Sequence, residues 1–189
     1  IPADYYVFSS HKFGGPLGCA GVIVKGAALQ LRIVGGRQEY GMRAGTENTP
    51  ALIGCVYALA ESLPVLAAEE KRLGGLKQQF IQELRALVPA VKIVAADHNQ
   101  TTETAARVVH ICACIFPKVL AANMVELSSQ AGYSVANGSA CTSDQREASP
   151  ILLAMGFTED EALACLRISF GTAHTTASCS ALATVLSEA

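Results

Sequence analysis

Lys12 stands in Ser9-Ser10-His11-Lys12-Phe13-Gly14-Gly15-Pro16-Leu17-Gly18, directly after a short apolar run. A lysine that bonds a carbonyl as a Schiff base must shed its proton near neutral pH, which partial burial or a cationic neighbour favours. His11 and the apolar run suit that demand. Ser9 and His11 could donate to a phosphate, and the glycines allow close backbone approach. By itself the tetrapeptide also reads as a solvated lysine on a hairpin loop. Cys141 lies in Asn137-Gly138-Ser139-Ala140-Cys141-Thr142-Ser143-Asp144, whose small polar residues cannot build a core. An accessible thiol there suits a nucleophile that swings between a substrate and an acceptor, against the alternative of an incidental surface cysteine. Arg167 interrupts the apolar run Leu166-Arg167-Ile168-Ser169-Phe170. A charge there needs a partner, either an internal acid or a substrate carboxylate held bidentately. Arg43 and Thr46 share a glycine-containing loop that could meet an anion or a neighbouring subunit.

The remaining candidates read as structure. Cys112 and Cys114 point the same way on a strand, but no second pair or histidine cluster stands at zinc spacing, so they are assigned to core and no metal is expected. Cys55 and Cys165 are read as core positions on helix faces. His98 and His174 receive no role. Seven cysteines, odd in number and irregularly spaced, fit a reducing compartment better than a disulfide framework, and hence the cytoplasm.

These residues must be positioned by ordered elements. Hydrophobic residues make up 51% and charged residues 16%, the profile of a packed protein. The net charge of -2 is spread along the chain with no basic stripe, which argues against nucleic acid as a partner. Charge, Pro or Gly is read as breaking every apolar stretch before ~18 residues, so no membrane helix is expected. Strands are expected at 5–8 and 19–25, around a loop too rich in glycine for a helix. Thr49 caps a long helix with Pro50 in its first turn, and Pro64 kinks or restarts it before an amphipathic stretch reaching about 87. Beyond lie strands at 91–95 and 107–115, a helix near 118–130, a short strand near 133–136 and the Cys141 loop near 137–148. Helices near 149–155 and 158–165, a strand at 166–170 and a helix from about 175 complete an α/β or α+β layer structure. A boundary is set at residue 50, giving domains 1–50 and 51–189.

Taken together, four segments resemble one family in the same order. The Lys12 segment, Gly35-Gly36-Arg37-Gln38-Glu39 with Arg43-Ala44-Gly45-Thr46-Glu47-Asn48, Gly138-Ser139-Ala140-Cys141-Thr142-Ser143, and Leu166-Arg167-Ile168-Ser169-Phe170-Gly171 are similar to those of cysteine desulfurases. The resemblance implies a fold-type I pyridoxal-phosphate (PLP) enzyme of the class-V aminotransferase group, represented by its C-terminal half. The fold it implies is the end of a large domain with a mostly parallel sheet, followed by a small α+β domain. Lys12 would carry the cofactor and serve as base and acid, and Ser9 and His11 would bind its phosphate. Thr46 would reach the partner subunit's phosphate in a homodimer. Cys141 would take sulfur from L-cysteine as a persulfide, and Arg167 would hold the substrate carboxylate.

A sulfur-acceptor protein such as an iron–sulfur scaffold would take the persulfide sulfur onward. Arg37 departs from a glycine common in the family. The family's ring-stacking His and pyridine-pairing Asp would lie upstream of Ile1, in the same protein or in a separate chain. The rivals are a selenocysteine or cystine lyase of the same scaffold, and a non-catalytic module that binds a partner.

Overall fold

A computed structural model describes residues 2–26, 33–94, 108–138 and 147–188. It divides into two compact units, Ile1–Ala67 and Ala68–Ala189.

The first unit is built on a hairpin. Strands β1 (Tyr5–Ser9) and β2 (Ala20–Val24) pair antiparallel, with Tyr5 opposite Val24 and Ser9 opposite Ala20. The connection between them is not all loop. Its first four residues, Ser10–Phe13, wind into a 3-10 turn that Gly14 ends at φ 89°. The glycines begin only at position 14, so nothing in those four residues opposes a turn, and Gly14 supplies the left-handed residue that stops it. Helix α1 (Thr49–Leu87) then begins. Its cap is Asn48 rather than Thr49: the Asn48 side-chain oxygen accepts the Ala51 N–H at 3.3 Å. The helix continues through Pro64 as one element, so of the kink or restart expected there the restart does not occur. Proline removes one backbone hydrogen bond, yet α1 keeps its helical path on both sides.

The apolarity of α1 is greater than the reading of broken apolar stretches anticipated. Glu61 is the single charge in residues 49–66. By length and composition the helix could cross a membrane, its most apolar 18-residue window having mean hydropathy 1.8 with 17% of that window buried. Length and apolarity alone do not separate a spanning helix from one covered by protein. The hairpin is equally apolar and bare: Val7 is 76% exposed and Ile23 58%. Unbroken apolar runs such as Tyr5-Tyr6-Val7-Phe8 are typical of strands covered on both faces of a sheet.

The second unit holds a four-stranded antiparallel sheet in the order β3-β4-β6-β5. Its strands are β3 (Lys92–Ile93), β4 (Ile111–Ile115), β5 (Ala136–Asn137) and β6 (Cys165–Ser169). Its helices are α2 (Ala121–Gln130), α3 (Pro150–Ala154), α4 (Glu159–Leu163) and α5 (Thr176–Ser187). Cys165 therefore opens a strand, not a helix face. The period-2 alternation of β4 and β6 splits the core in two. Cys112, Cys114, Leu166 and Ile168 share a cluster with Phe80, Leu84, Met124 and Leu186. Ile115 and Cys165 pack with Leu152, Phe157, Ala162 and Ala164.

α4 is tied to the sheet edge electrostatically. Thr158 and Glu161 form a reciprocal capping box, and Lys92 Nζ donates to Glu161 Oε1 at 2.6 Å. The Lys92 hydrogen bond first, and the Thr158 N–H second, draw the Glu161 carboxyl from its ordinary 4.5 down to about 2. A depressed folded-state pKa contributes stability above the unfolded value that is lost as pH falls through the folded one. Unfolding midpoints followed by circular dichroism should thus drop with acid between about 4.5 and about 2. Glu161→Gln should flatten that part of the profile.

Candidate active site

The turn bearing Lys12 is anchored through Ser10. That residue is fully buried, its N–H donates to the Cys19 carbonyl at 3.0 Å, and its hydroxyl donates to the Pro16 carbonyl. Its own carbonyl accepts the Gly15 N–H at 2.9 Å. A Cβ on Gly15 would lie 2.8 Å from the Ser10 Cβ, so only glycine fits against this anchor. Phe13 packs on Phe8 at 6.2 Å between ring centroids, and Ser62 donates to the Phe13 carbonyl at 3.4 Å. The backbone is thereby held on a small core of Cys19, Ala51 and Cys55. His11 and Lys12 stay exposed and Ser9 half-buried. Among the described residues these three side chains have no hydrogen-bond or ionic partner. A primary amine, an imidazole and a hydroxyl thus stand on one braced turn. Sequence reasoning missed Ser10; its one signal was a small hydroxyl residue at the end of an apolar run.

Thr46 lies in the same unit, exposed, beyond a loop braced by its own backbone. The Gly41 N–H reaches the Arg37 and Gln38 carbonyls at 3.0 and 2.9 Å, and the Gln38 side chain accepts the Gly45 N–H at 3.3 Å. Glu39 and Tyr40 both sit at left-handed φ, 50° and 57°, a conformation that costs a non-glycine residue about 1–2 kcal/mol. Arg43 donates to the Ala44 carbonyl at 2.7 Å, and the Thr46 hydroxyl has no partner among the described residues.

Arg167 belongs to the second unit. It sits mid-strand in β6, opposite Ala113 on one side and Ala136 on the other. It is half-buried, with Nη1 donating to the Gly138 carbonyl at 3.2 Å. No carboxylate pairs with it among the described residues, so the internal-acid reading has no support there. Its remaining N–H groups have no partner among the described residues, as binding a ligand carboxylate requires. Cys141 lies outside the described residues. Both described flanks of its segment, Asn137–Gly138 and Glu147–Ser149, line a cavity of about 330 Å³ that Asn123 and Cys165 also border. Burial pushes the Cys165 thiol up to about 11, so it stays protonated and is no nucleophile. The fold thus sets Arg167 against the flank of the Cys141 segment, a proximity that spacing along the chain does not reveal. Cys112 and Cys114 are core, with sulfurs 3.5 Å apart.

The family model for class-V aminotransferases matches residues 1–182. A cysteine desulfurase of Rhodobacter capsulatus is 30% identical over 186 residues, covering 98% of this chain and 46% of that protein. The cysteine desulfurase IscS of Pseudomonas putida is 33% identical over 174 residues, covering 90% and 41%. The structure of a NifS-like protein from Rickettsia africae superposes with a TM-score of 0.83 at 26% identity, covering 98% of this chain and 47% of that one. The chain spans a little under half the length of the curated relatives it matches.

Proposed function

Because this chain belongs to the class-V aminotransferase family, we propose that it is the C-terminal half of a pyridoxal-phosphate-dependent cysteine desulfurase. The observation that carries the reading is the braced turn around Lys12: an exposed amine on an anchored backbone, beside a hydroxyl and an imidazole, all three without partners among the described residues. That donor set suits a phosphorylated aldehyde, since the amine can bond the carbonyl while Ser9 and His11 donate to the phosphate. Bound there, the cofactor supplies an electron sink for the substrate α-carbon.

The chain's own residues do the rest. Lys12 moves the proton at the α-carbon of L-cysteine. Arg167 orients the substrate through its carboxylate, and Cys141 accepts the sulfur as a persulfide and delivers it to an acceptor protein of the iron–sulfur scaffold kind. Thr46 donates to the cofactor phosphate of a second copy, which makes the enzyme a homodimer. Residues 1–50 then close the cofactor-binding large domain, and 51–189 form the small domain. The bare apolar faces of β1, β2 and the first turns of α1 support a larger domain covering them. Reduced cysteines, six of them free among the described residues, support a cytoplasmic setting.

Cys141→Ser tests the reading. In the complete enzyme it should still bind cofactor and L-cysteine yet form no protein persulfide, scored by alkylation and mass spectrometry. Persulfide formed at the wild-type rate in that variant removes Cys141 from the mechanism.

A further inference from the structure

We propose that Cys19 and Cys55 are a redox-active thiol pair, able to close as a disulfide that ties the start of β2 to the second turn of α1. The two come from elements far apart in sequence, one just before β2 and the other inside α1. Both are all but buried, 7% and 5% exposed, and with Ala51 they form a small core of their own against Phe8 and Phe13. Ala51 is the only other buried residue in that cluster. As a pair of small hydrophobes two alanines or valines would serve; two thiols buried in one three-residue cluster, on separate elements, can also form a bond.

The other thiol pair cannot follow. Cys112 and Cys114 are two residues apart on one strand, with 1% and 0% exposure. Alternate side chains on a strand are set about 6.6 Å apart along the backbone, beyond the Cβ separation of about 3.5–4.5 Å that a disulfide needs. Closing that pair would break the β4 ladder. Cys19 and Cys55 lie on independent backbones, and no ladder joins them.

A low-molecular-weight disulfide is the oxidant. One thiol loses its proton and its sulfur attacks the oxidant's S–S bond, which breaks and releases one thiolate, leaving a mixed disulfide. The second cysteine, deprotonated, attacks the protein sulfur of that mixed disulfide and expels the other thiolate. The pair gives up two electrons and two protons, and the oxidant becomes two thiols. Burial, with the Cys19 contact, holds the Cys55 thiol above its ordinary value, so closure should quicken toward alkaline pH. The Cys19 carbonyl also accepts the Ser10 N–H, so the bond would fasten the strand end on which the Lys12 turn rests. The proposal stands on these two thiols and does not depend on the desulfurase reading.

The test is a peptide map. The 189-residue chain is incubated at mildly alkaline pH with glutathione disulfide or with dithiothreitol, denatured in N-ethylmaleimide, digested and analysed by mass spectrometry. A peptide pair joined through Cys19 and Cys55 should appear only in the oxidised sample and vanish on reduction, with Cys112 and Cys114 labelled by maleimide in both. The oxidised chain should melt roughly 5 °C or more above the reduced one, because the bond restricts the unfolded state. Cys55→Ser should abolish both effects. Should that variant not fold, the wild-type map decides alone. Recovery of Cys19 and Cys55 only as separate maleimide or glutathione adducts, or each joined to some other cysteine, overturns the proposal.

Discussion

Lys12→Ala should eliminate covalent cofactor attachment and cut alanine formation from L-cysteine by at least about 10²–10⁴-fold, the range for losing a positioned general acid–base alone. The substitution leaves the turn standing. Lys12 is exposed, while the anchors are the Ser10 hydrogen bonds, the Phe8–Phe13 contact and the Ser62 bond, none of which involves its side chain. The variant should therefore fold like its parent, and circular dichroism and melting curves should superpose. The complete enzyme with pyridoxal phosphate would show visible absorbance characteristic of the lysine-bound cofactor, which borohydride fixes to the protein. Lys12→Ala should lose the borohydride-fixed label. A variant that keeps both label and activity would place the cofactor elsewhere.

Phe80→Ala should be the most damaging change to stability in the second unit, lowering it by about 3–5 kcal/mol. Phe80 has no exposed surface and meets Phe170 edge-on, with ring centroids 5.5 Å apart at 65°. Truncation therefore leaves a void between α1 and the end of β6, where Leu84, Leu166 and Leu186 are also buried and cannot swing out to water. Urea denaturation followed by helix signal should show the shift. Tyr40→Ala removes a ring that is 98% exposed, and the same measurement should move by no more than about 0.5 kcal/mol. A Phe80→Ala loss below about 1 kcal/mol would mean that this core is not packed as described.

Much of this was legible in the chain. The apolar runs of β1, β2, β4 and β6 alternate or persist as strands must, and the Leu73, Leu76, Phe80 and Leu84 spacing marks α1's buried stripe. The helix expected near 158–165 is present as α4, and the Thr158–Glu161 box that starts it is local in the same way, a contact within four residues. The candidate chemistry was equally local: Lys12 beside His11 after a strand, a cysteine among small polar residues, an arginine inside an apolar strand. Residue type and near spacing suffice for such features, since the atoms involved are never more than a few bonds' reach apart.

Lys12 and Arg167 were picked out by sequence; what braces the one and what the other faces came from packing. Ser10 looked like one more polar loop residue until burial and three hydrogen bonds made it the anchor of the turn. Arg167 required a partner on any reading, but only β5 pairing with β6 brought the Gly138 carbonyl within 3.2 Å of its guanidinium. Cys165 moved from an expected helix to a strand because α4 stops at Leu163 and the ladder with β4 claims the next residues. Cys19 and Cys55 had no relation in sequence at all. Local physics sets the period of each element and the chemistry each residue can offer, whereas a contact between distant residues exists only when whole elements bury their apolar faces together.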